Sequence, residues 1–427
     1  MTAIVGVLNK QAIAVAADSA VTVGAGVKIY DKANKIFTLS KHHPVGVAIY
    51  SSASFNSCIP WEIIIKMFRK KIGKDEHETI QAYADDFISY LTDFKDNNTN
   101  VDELNSFTSD EISRLWAFDV LAQMPNSRPD VGLHKDDVGK LTELFTNINA
   151  NISNKAVIPE LSTIDKPSFV KCYDSALKLI NKEILAAGGD QKLYDLVEDT
   201  FFNLFTKDTG IRDKRGEFTG ISFFGYGGKE IFPSLYRIHV YNCINGIIYW
   251  RMIEYNKIEN MGNQSYICPM AQIDEMQTYI TGINPVIEDT LISGIESIMR
   301  EFLAQLATSI HSHNPVVAKN IAQFDITPLI SQYKKNIQDF KQTKNIDPLI
   351  NTVSTMAKED LAELAENLIY MTSLKRHITP NLESVGGPVD VAVISKGDGF
   401  IWMKRKHYFD PSLNKCFFDN YYGSNIK

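Results

Sequence analysis

Two runs near the N-terminus, Ala3–Leu8 (AIVGVL) and Ala12–Ala17 (AIAVAA), are apolar at every position and are separated only by Asn9-Lys10-Gln11. A strand with one wet face alternates polar and apolar residues. These two do not alternate, so both faces must be buried, and the three polar residues between them make an antiparallel hairpin. A chain built around such a hairpin needs cover on each side of its sheet. Lys35–Leu39 (KIFTL) and Val45–Tyr50 (VGVAIY) read as two more strands of the same kind.

The remaining pattern supplies the cover. Pro60 opens the helical stretch WEIIIKMFRKKI, at a position in the first turn where proline is tolerated. Ile80, Tyr83, Ala84, Phe87, Ile88 and Leu91 then recur at helical spacing. Residues 96–216 read as helices broken by polar stretches such as KDNNTN and MPNSRPDVG. Strands resume with ISFFGYGG, SLYRIHVYN and GIIYWRMIEY, the last two joined by a hairpin turn at Asn242–Asn245. A long helical region follows. Then comes a helix with Leu361, Leu364, Ala365, Leu368 and Ile369 on one stripe, and finally the strands VDVAVIS and FIWMKRK. Strands, helices, strands, helices, strands is an α+β order, and antiparallel sheets with helices outside them fit an αββα sandwich carrying large helical insertions. At 427 residues the chain exceeds one ordinary core. The expected segments are the first part of the sandwich (1–95), a helical insertion (96–216), the sandwich continued (217–285), a helical extension (286–354), and the last part of the sandwich with a tail (355–427).

Composition narrows the function classes. The chain has 44 basic and 51 acidic residues, a net charge of −7, which argues against a nucleic-acid surface. No apolar run approaches the roughly 18 residues of a membrane span. The five cysteines form no C-x-x-C pair, so neither a zinc nor a redox motif is expected, and free thiols point to a cytoplasmic protein. The N-terminus lacks the basic region and cleavage site of a signal peptide. Gly225–Lys229 (GYGGK) lacks phosphate-loop spacing and reads as a strand-end turn. Lys404-Arg405-Lys406 reads as a solvated basic edge.

The chemistry points to the second residue. A threonine hydroxyl is a poor nucleophile until a base lies within hydrogen-bond reach. Once Met1 is removed, Thr2 carries its own base, an α-amine with a reference pKa of roughly 8. That amine must be tuned and aimed, which a lysine held by a carboxylate achieves. Asp18 ends the second strand, beside the start of the first in a hairpin. Lys35 begins the third.

These residues resemble the proteasome β-subunit and the peptidase subunit of the bacterial two-component protease. The resemblance rests on Thr2, Ala16-Ala17-Asp18-Ser19, Thr22-Val23-Gly24 and Asn34-Lys35-Ile36, and it continues into PVGVAIYSSASF. It extends over roughly residues 1–95, 218–285 and 355–405. It implies the N-terminal-nucleophile (Ntn) hydrolase fold, with Thr2 as nucleophile and Asp18 and Lys35 as the groups that tune it. Backbone N–H groups near Tyr50 and Ser51 would form the oxyanion hole, where the family's paired glycines fall near Ile49-Tyr50 or Ser51-Ser52. The family's further serine falls near Ala271 or Gln272, and its late hydroxyl or carboxyl at Ser384 or Glu383. The implied activity is that of a threonine-type peptidase on peptide or protein substrates, without metal or cofactor, in a homo-oligomeric ring that an ATPase serves. A small-molecule amidohydrolase and a catalytically silent scaffold are the alternatives.

Overall fold

Asn9 makes the first turn. Its side-chain oxygen accepts from the N–H groups of Gln11 (2.8 Å) and Ala12 (3.3 Å), and its amide donates to the carbonyls of Val353 and Met356. This turn sets β1 (Ile4–Asn9) antiparallel to β2 (Ile13–Ala17), with Val7 opposite Ala14. Every residue of both strands is buried. The computed structural model describes residues 3–23, 28–30, 33–271, 273–379, 386–407 and 409–416. For residues 21–23, 28–30 and Pro411 it describes the backbone alone.

The chain continues through β3 (Ile36–Thr38) and β4 (Val45–Ser51) to α1 (Trp61–Ile72) and α2 (Ile80–Asn98). Next come α3 (Val101–Arg114), α4 (Val138–Ile152), α5 (Lys166–Cys172), α6 (Asp174–Ala186), α7 (Gln191–Thr206) and α8 (Ile211–Arg215). Strands return as β5 (Phe218–Gly225), β6 (Ser234–Tyr241), β7 (Trp250–Lys257) and β8 (Ser265–Ala271). The helices α9 (Ile273–Thr281), α10 (Pro285–His311), α11 (Pro315–Ala322), α12 (Thr327–Lys341), α13 (Asp347–Thr355) and α14 (Lys358–Ile378) follow. β9 (Asp390–Ser395) and β10 (Gly399–Lys404) come last. The protein is thus a mixed α/β chain with two five-stranded sheets and many helices.

Two compact units divide the chain. The first comprises Met1–Ile36, Glu230–Ser234 and Asn256–Lys427, and the second Phe37–Lys229 and Leu235–Tyr255. The first holds the sheet of order β8-β1-β2-β9-β10, antiparallel at each pairing. Ala12, Ala14 and Ala16 share one face of β2, and Ala365 sits in the same cluster with Leu361, Leu368 and Ile369 of α14. Small side chains on strand and helix let the two backbones approach closely. β8 is a strand that the sequence pattern did not reveal. It is an edge strand carrying Pro269, where a missing N–H costs no ladder bond on the outer side.

The second unit holds the sheet of order β7-β6-β5-β4-β3. Val45, Val47 and Ile49 of β4 pack with Trp61, Phe68 and Phe87 of α1 and α2. The helices of 101–206 form a cluster of their own around Trp116, Phe145, Phe169 and Phe201. The turn after β6 passes through Asn245 and Gly246, both at positive φ (48° and 73°), the conformation expected of a tight hairpin turn. Among the described residues no helix is long and apolar enough to cross a membrane.

Candidate active site

The β1–β2 hairpin explains where Asp18 goes. Ile4 pairs with Ala17, so the next pair outward is Ala3 with Asp18. The Asp18 N–H donates to the Ala3 carbonyl (3.1 Å), and the Ala3 N–H donates back to Asp18 Oδ1 (2.8 Å). The ladder is therefore extended by one rung through a side chain. Thr2, the expected nucleophile, lies outside the described residues, as does Ser384.

Lys35 meets Asp18 as the sequence reading anticipated. Its Nζ donates to Asp18 Oδ1 and to the Ala20 carbonyl, each at 2.6 Å. The pair is almost wholly buried, at 4% and 1% side-chain exposure. Burial pushes the Lys35 ammonium down from 10.5 to about 8, although Asp18 pulls the other way. This ammonium can lose a proton near neutral pH, which a surface lysine cannot do. Asp18 Oδ2 accepts from the N–H groups of Ala20 (3.1 Å) and Gly386 (3.2 Å). Ser19 anchors the same loop: its N–H donates to the Gly386 carbonyl and its hydroxyl to the Pro388 carbonyl.

A second buried charge group stands beside the first and was not read from the sequence. Asp390 opens β9 opposite Ala17 and is 1% exposed. It accepts from Arg405 (3.0 Å), from the Lys406 backbone N–H (2.8 Å) and from Lys406 Nζ. Burial lowers the Lys406 ammonium, and its charge in turn helps lower Lys35. Of the run 404–406 only Lys404 is a solvated edge residue, pairing with Glu366 through two bonds of 2.7 Å, while Arg405 and Lys406 turn onto Asp390. The one available clue was an aspartate inside the otherwise apolar run Val389–Ile394, where no turn called for it.

A cavity of about 730 Å³ is walled by Tyr370, Met371, Leu374 and His377 of α14 and by Gly386 and Gly387. Its glycine wall is the segment whose N–H reaches Asp18. Ala271, one of two positions considered for a further serine, ends β8 opposite Ile4 and bears no hydroxyl, while Gln272 lies outside the described residues. Among the described residues no group of three or more His, Cys, Asp or Glu side chains gathers as a metal site.

Tyr50 and Ser51 belong to the second unit, at the end of β4, paired with Gly220 and Thr219 of β5. The Tyr50 ring lies across Gly220, where any Cβ would fall 1.9 Å from it. The Tyr50 hydroxyl meets His239 Nε2 at 3.0 Å, and His239 Nδ1 meets Asp213 at 3.0 Å. Burial holds His239 below its ordinary range. Ser51 takes a φ of 70°, a left-handed backbone that residues other than glycine adopt at a cost. Its hydroxyl donates to the Gly216 carbonyl (3.0 Å).

The second unit also buries an ion network. Arg212 donates to Tyr249 (2.7 Å) and Glu111 (3.1 Å) and lies over the rings of Phe205 and Tyr249. Burial works against its charge, but Tyr249 and Glu111 hold the guanidinium above its usual range. Burial likewise opposes the Glu111 charge, yet Arg212 keeps that carboxyl below the ordinary value. Glu217, beside them, is pushed up to about 7 by burial and by Glu111.

No family model and no curated protein matches this chain. Solved structures similar to it include a Gly-1 mutant of Anbu from Hyphomicrobium sp. strain MC1, at 9% identity and a TM-score of 0.28, covering 99% of this chain and 96% of that one. Another is Anbu, described as an ancestral beta-subunit, from Yersinia bercovieri, at 8% identity and a TM-score of 0.27, covering 100% and 99%. Likeness at that level leaves fold and function to be argued from this chain's own residues.

Proposed function

We propose that this protein is an Ntn hydrolase of amide bonds, a threonine-type peptidase whose nucleophile is Thr2 once Met1 is removed. One observation carries the reading: the buried Lys35–Asp18 pair shares its central oxygen with the N–H of Ala3, the residue bonded to Thr2. A lysine buried against a carboxylate at that point has no packing purpose that a leucine would not serve better. Two of the three Lys35 donors are taken by Asp18 and Ala20. Among the described residues no acceptor takes the third, which would serve the threonine hydroxyl or amine.

In this mechanism the Thr2 hydroxyl attacks the amide carbonyl, and its α-amine accepts the proton and passes it to the leaving nitrogen. Lys35 lowers the basicity of that amine, and Asp18 holds Lys35 in place. Water then cleaves the acyl-enzyme. Oxyanion support from backbone N–H groups near Tyr50 and Ser51 is carried by the resemblance, whose paired glycines fall near Ile49-Tyr50 or Ser51-Ser52. The cavity beside Gly386, with the apolar wall Tyr370, Met371 and Leu374, suits an apolar side chain of a peptide. The αββα arrangement of the two sheets, the insertions 96–216 and 286–354, Ser384 as a supporting hydroxyl, and a ring with an ATPase partner belong to the same proposal. They are carried by the resemblance in the N-terminal residues.

Intact-mass spectrometry before and after an epoxyketone probe tests it. The expected result is a chain lacking Met1 that gains one adduct, with no adduct on Thr2→Ala. A folded chain that keeps its methionine, or an adduct that persists in Thr2→Ala, overturns the reading.

A further inference from the structure

The catalytic proposal uses one buried pair, Lys35–Asp18, and leaves its neighbour without a task. The side chains of Asp390 and Lys406 are 1% and 9% exposed. Asp390 accepts from the backbone N–H and the Nζ of Lys406, and from Arg405 at 3.0 Å. Taking such charges out of water is costly, and an apolar pair of similar volume packs as well or better. Nor does the sheet need them. β9 is held to β2 from Asp390 to Ile394 and to β10 from Val391 to Ser395, and Val391 and Val393 pack in one cluster with Leu361 and Leu368 of α14.

Placement sets this pair apart. Asp390 stands opposite Ala17, the residue before Asp18. The segment that leads into it meets the Asp18 loop three times. The Gly386 N–H donates to Asp18 Oδ2 (3.2 Å), the Ser19 N–H donates to the Gly386 carbonyl (3.2 Å), and the Ser19 hydroxyl donates to the Pro388 carbonyl. Residues 386–390 are therefore fastened at one end to the Lys35–Asp18 site and at the other to Arg405 and Lys406.

The charges of the two pairs also act on each other. Asp18, Lys35, Asp390, Arg405 and Lys406 together are three cations and two carboxylates, a net charge of one positive unit when all are ionised. The Lys406 ammonium opposes the charge on Lys35, Asp390 supports it, and Asp18 in turn supports the charge on Lys406. Such influence reaches past direct contact because water is largely excluded.

We infer that Asp390 and Lys406 are positioning residues for the proposed hydrolysis, a second buried pair that acts through Lys35 and through the segment carrying Gly386. The inference rests on the threonine reading. A pair that only fastened strands would weaken the fold when either member was removed, and would leave the titration of Lys35 where it was. A pair that tunes the site moves that titration, in opposite senses for its two members.

Two measurements on the full chain test this. Side-chain NMR of isotope-labelled lysine follows Lys35, whose signal is identified by its loss in Lys35→Met. Intact-mass spectrometry follows the rate of epoxyketone addition at Thr2 from about pH 5 to 10. The midpoints of both curves are expected at higher pH in Lys406→Met and at lower pH in Asp390→Asn, each displaced by about tenfold in proton concentration. Lys406→Arg keeps the charge and is expected to follow the wild type. Far-ultraviolet circular dichroism checks folding, and if Asp390→Asn does not fold, the contrast between Lys406→Met and Lys406→Arg decides the matter. A Lys35 midpoint that is unmoved in folded Lys406→Met, midpoints that move the same way in both charge-removing variants, or an addition rate indifferent to a displaced Lys35 each overturns the inference. A wild-type chain that takes no adduct at Thr2 at any pH overturns the threonine reading instead, and the lysine spectra still decide whether the second pair governs Lys35.

Discussion

Each unit of this protein buries a cation against a carboxylate, and the two cations behave in opposite ways. In the first unit Lys35 is bonded to Asp18 and Ala20, and burial brings its ammonium down to about 8. In the second Arg212 is bonded to Glu111 and Tyr249 and stacked on two rings, and its charge is reinforced. The distinction lies in the side chains. A guanidinium spreads its charge and cannot be discharged, so it suits a permanent buried brace. An ammonium concentrates its charge on one nitrogen and yields to desolvation, so it suits a place where a compact charge has to tune a neighbouring group. The arginine network is a buried brace, and the lysine pair is the one that the proposed hydrolysis would use.

The strongest challenge to that contrast is to exchange the cations. Lys35→Arg keeps a positive charge beside Asp18 but replaces the compact ammonium with a planar guanidinium whose fork does not reproduce the bonds of one nitrogen to Asp18 and Ala20. Turnover of an amide substrate is expected to fall about 10²–10⁴-fold in Lys35→Arg, and by as much in Lys35→Met. Near-normal turnover in the arginine variant would show that charge alone suffices. In the second unit, Arg212→Met leaves Glu111 buried without a counter-ion. Chemical denaturation is expected to show a loss of about 3–5 kcal/mol.

The titrations sharpen the contrast further. Lys35 holds its proton less tightly in the folded chain, at about 8, than unfolded, at 10.5. Below pH 8 both states are charged and the burial cost is present in full. Between pH 8 and 10.5 the unfolded chain binds more protons, so stability rises with pH. The difference between wild type and Lys35→Met should show this rise, up to about 3 kcal/mol. Glu217 titrates with the other sign. Its folded value of about 7 exceeds the ordinary 4.5, so the folded chain holds the extra proton between those limits and stability falls as pH rises through them. Glu217→Gln should flatten that fall, an effect on the order of 2 kcal/mol. Equal slopes in wild type and variant would remove Glu217 from the account.

Asp18 was legible because hairpin geometry is local: once the two apolar runs pair, residue 18 must stand beside residue 3, whereas Lys35 was singled out by the motif Asn34-Lys35-Ile36. Asp390 and Lys406 were not legible. They pair across the local β9–β10 hairpin, but their place beside Asp18 and Lys35 depends on β9 entering the sheet beside β2, more than 370 residues along the chain, and no spacing rule reaches that far. β8 was missed for a related reason, since a proline-bearing edge strand looks like a loop until its neighbour is known.

By itself the sequence determined the elements: strands apolar on both faces, a helix with one apolar stripe, and a turn built by Asn9. Each follows from backbone periodicity and from side chains a few residues apart. Only the tertiary structure decided the order of strands in each sheet, which carboxylate Arg212 would meet, and which helix faces would be left uncovered. Those outcomes depend on contacts between residues far apart in the chain, where burial sets the energy of a charge and the sequence pattern carries no measure of burial.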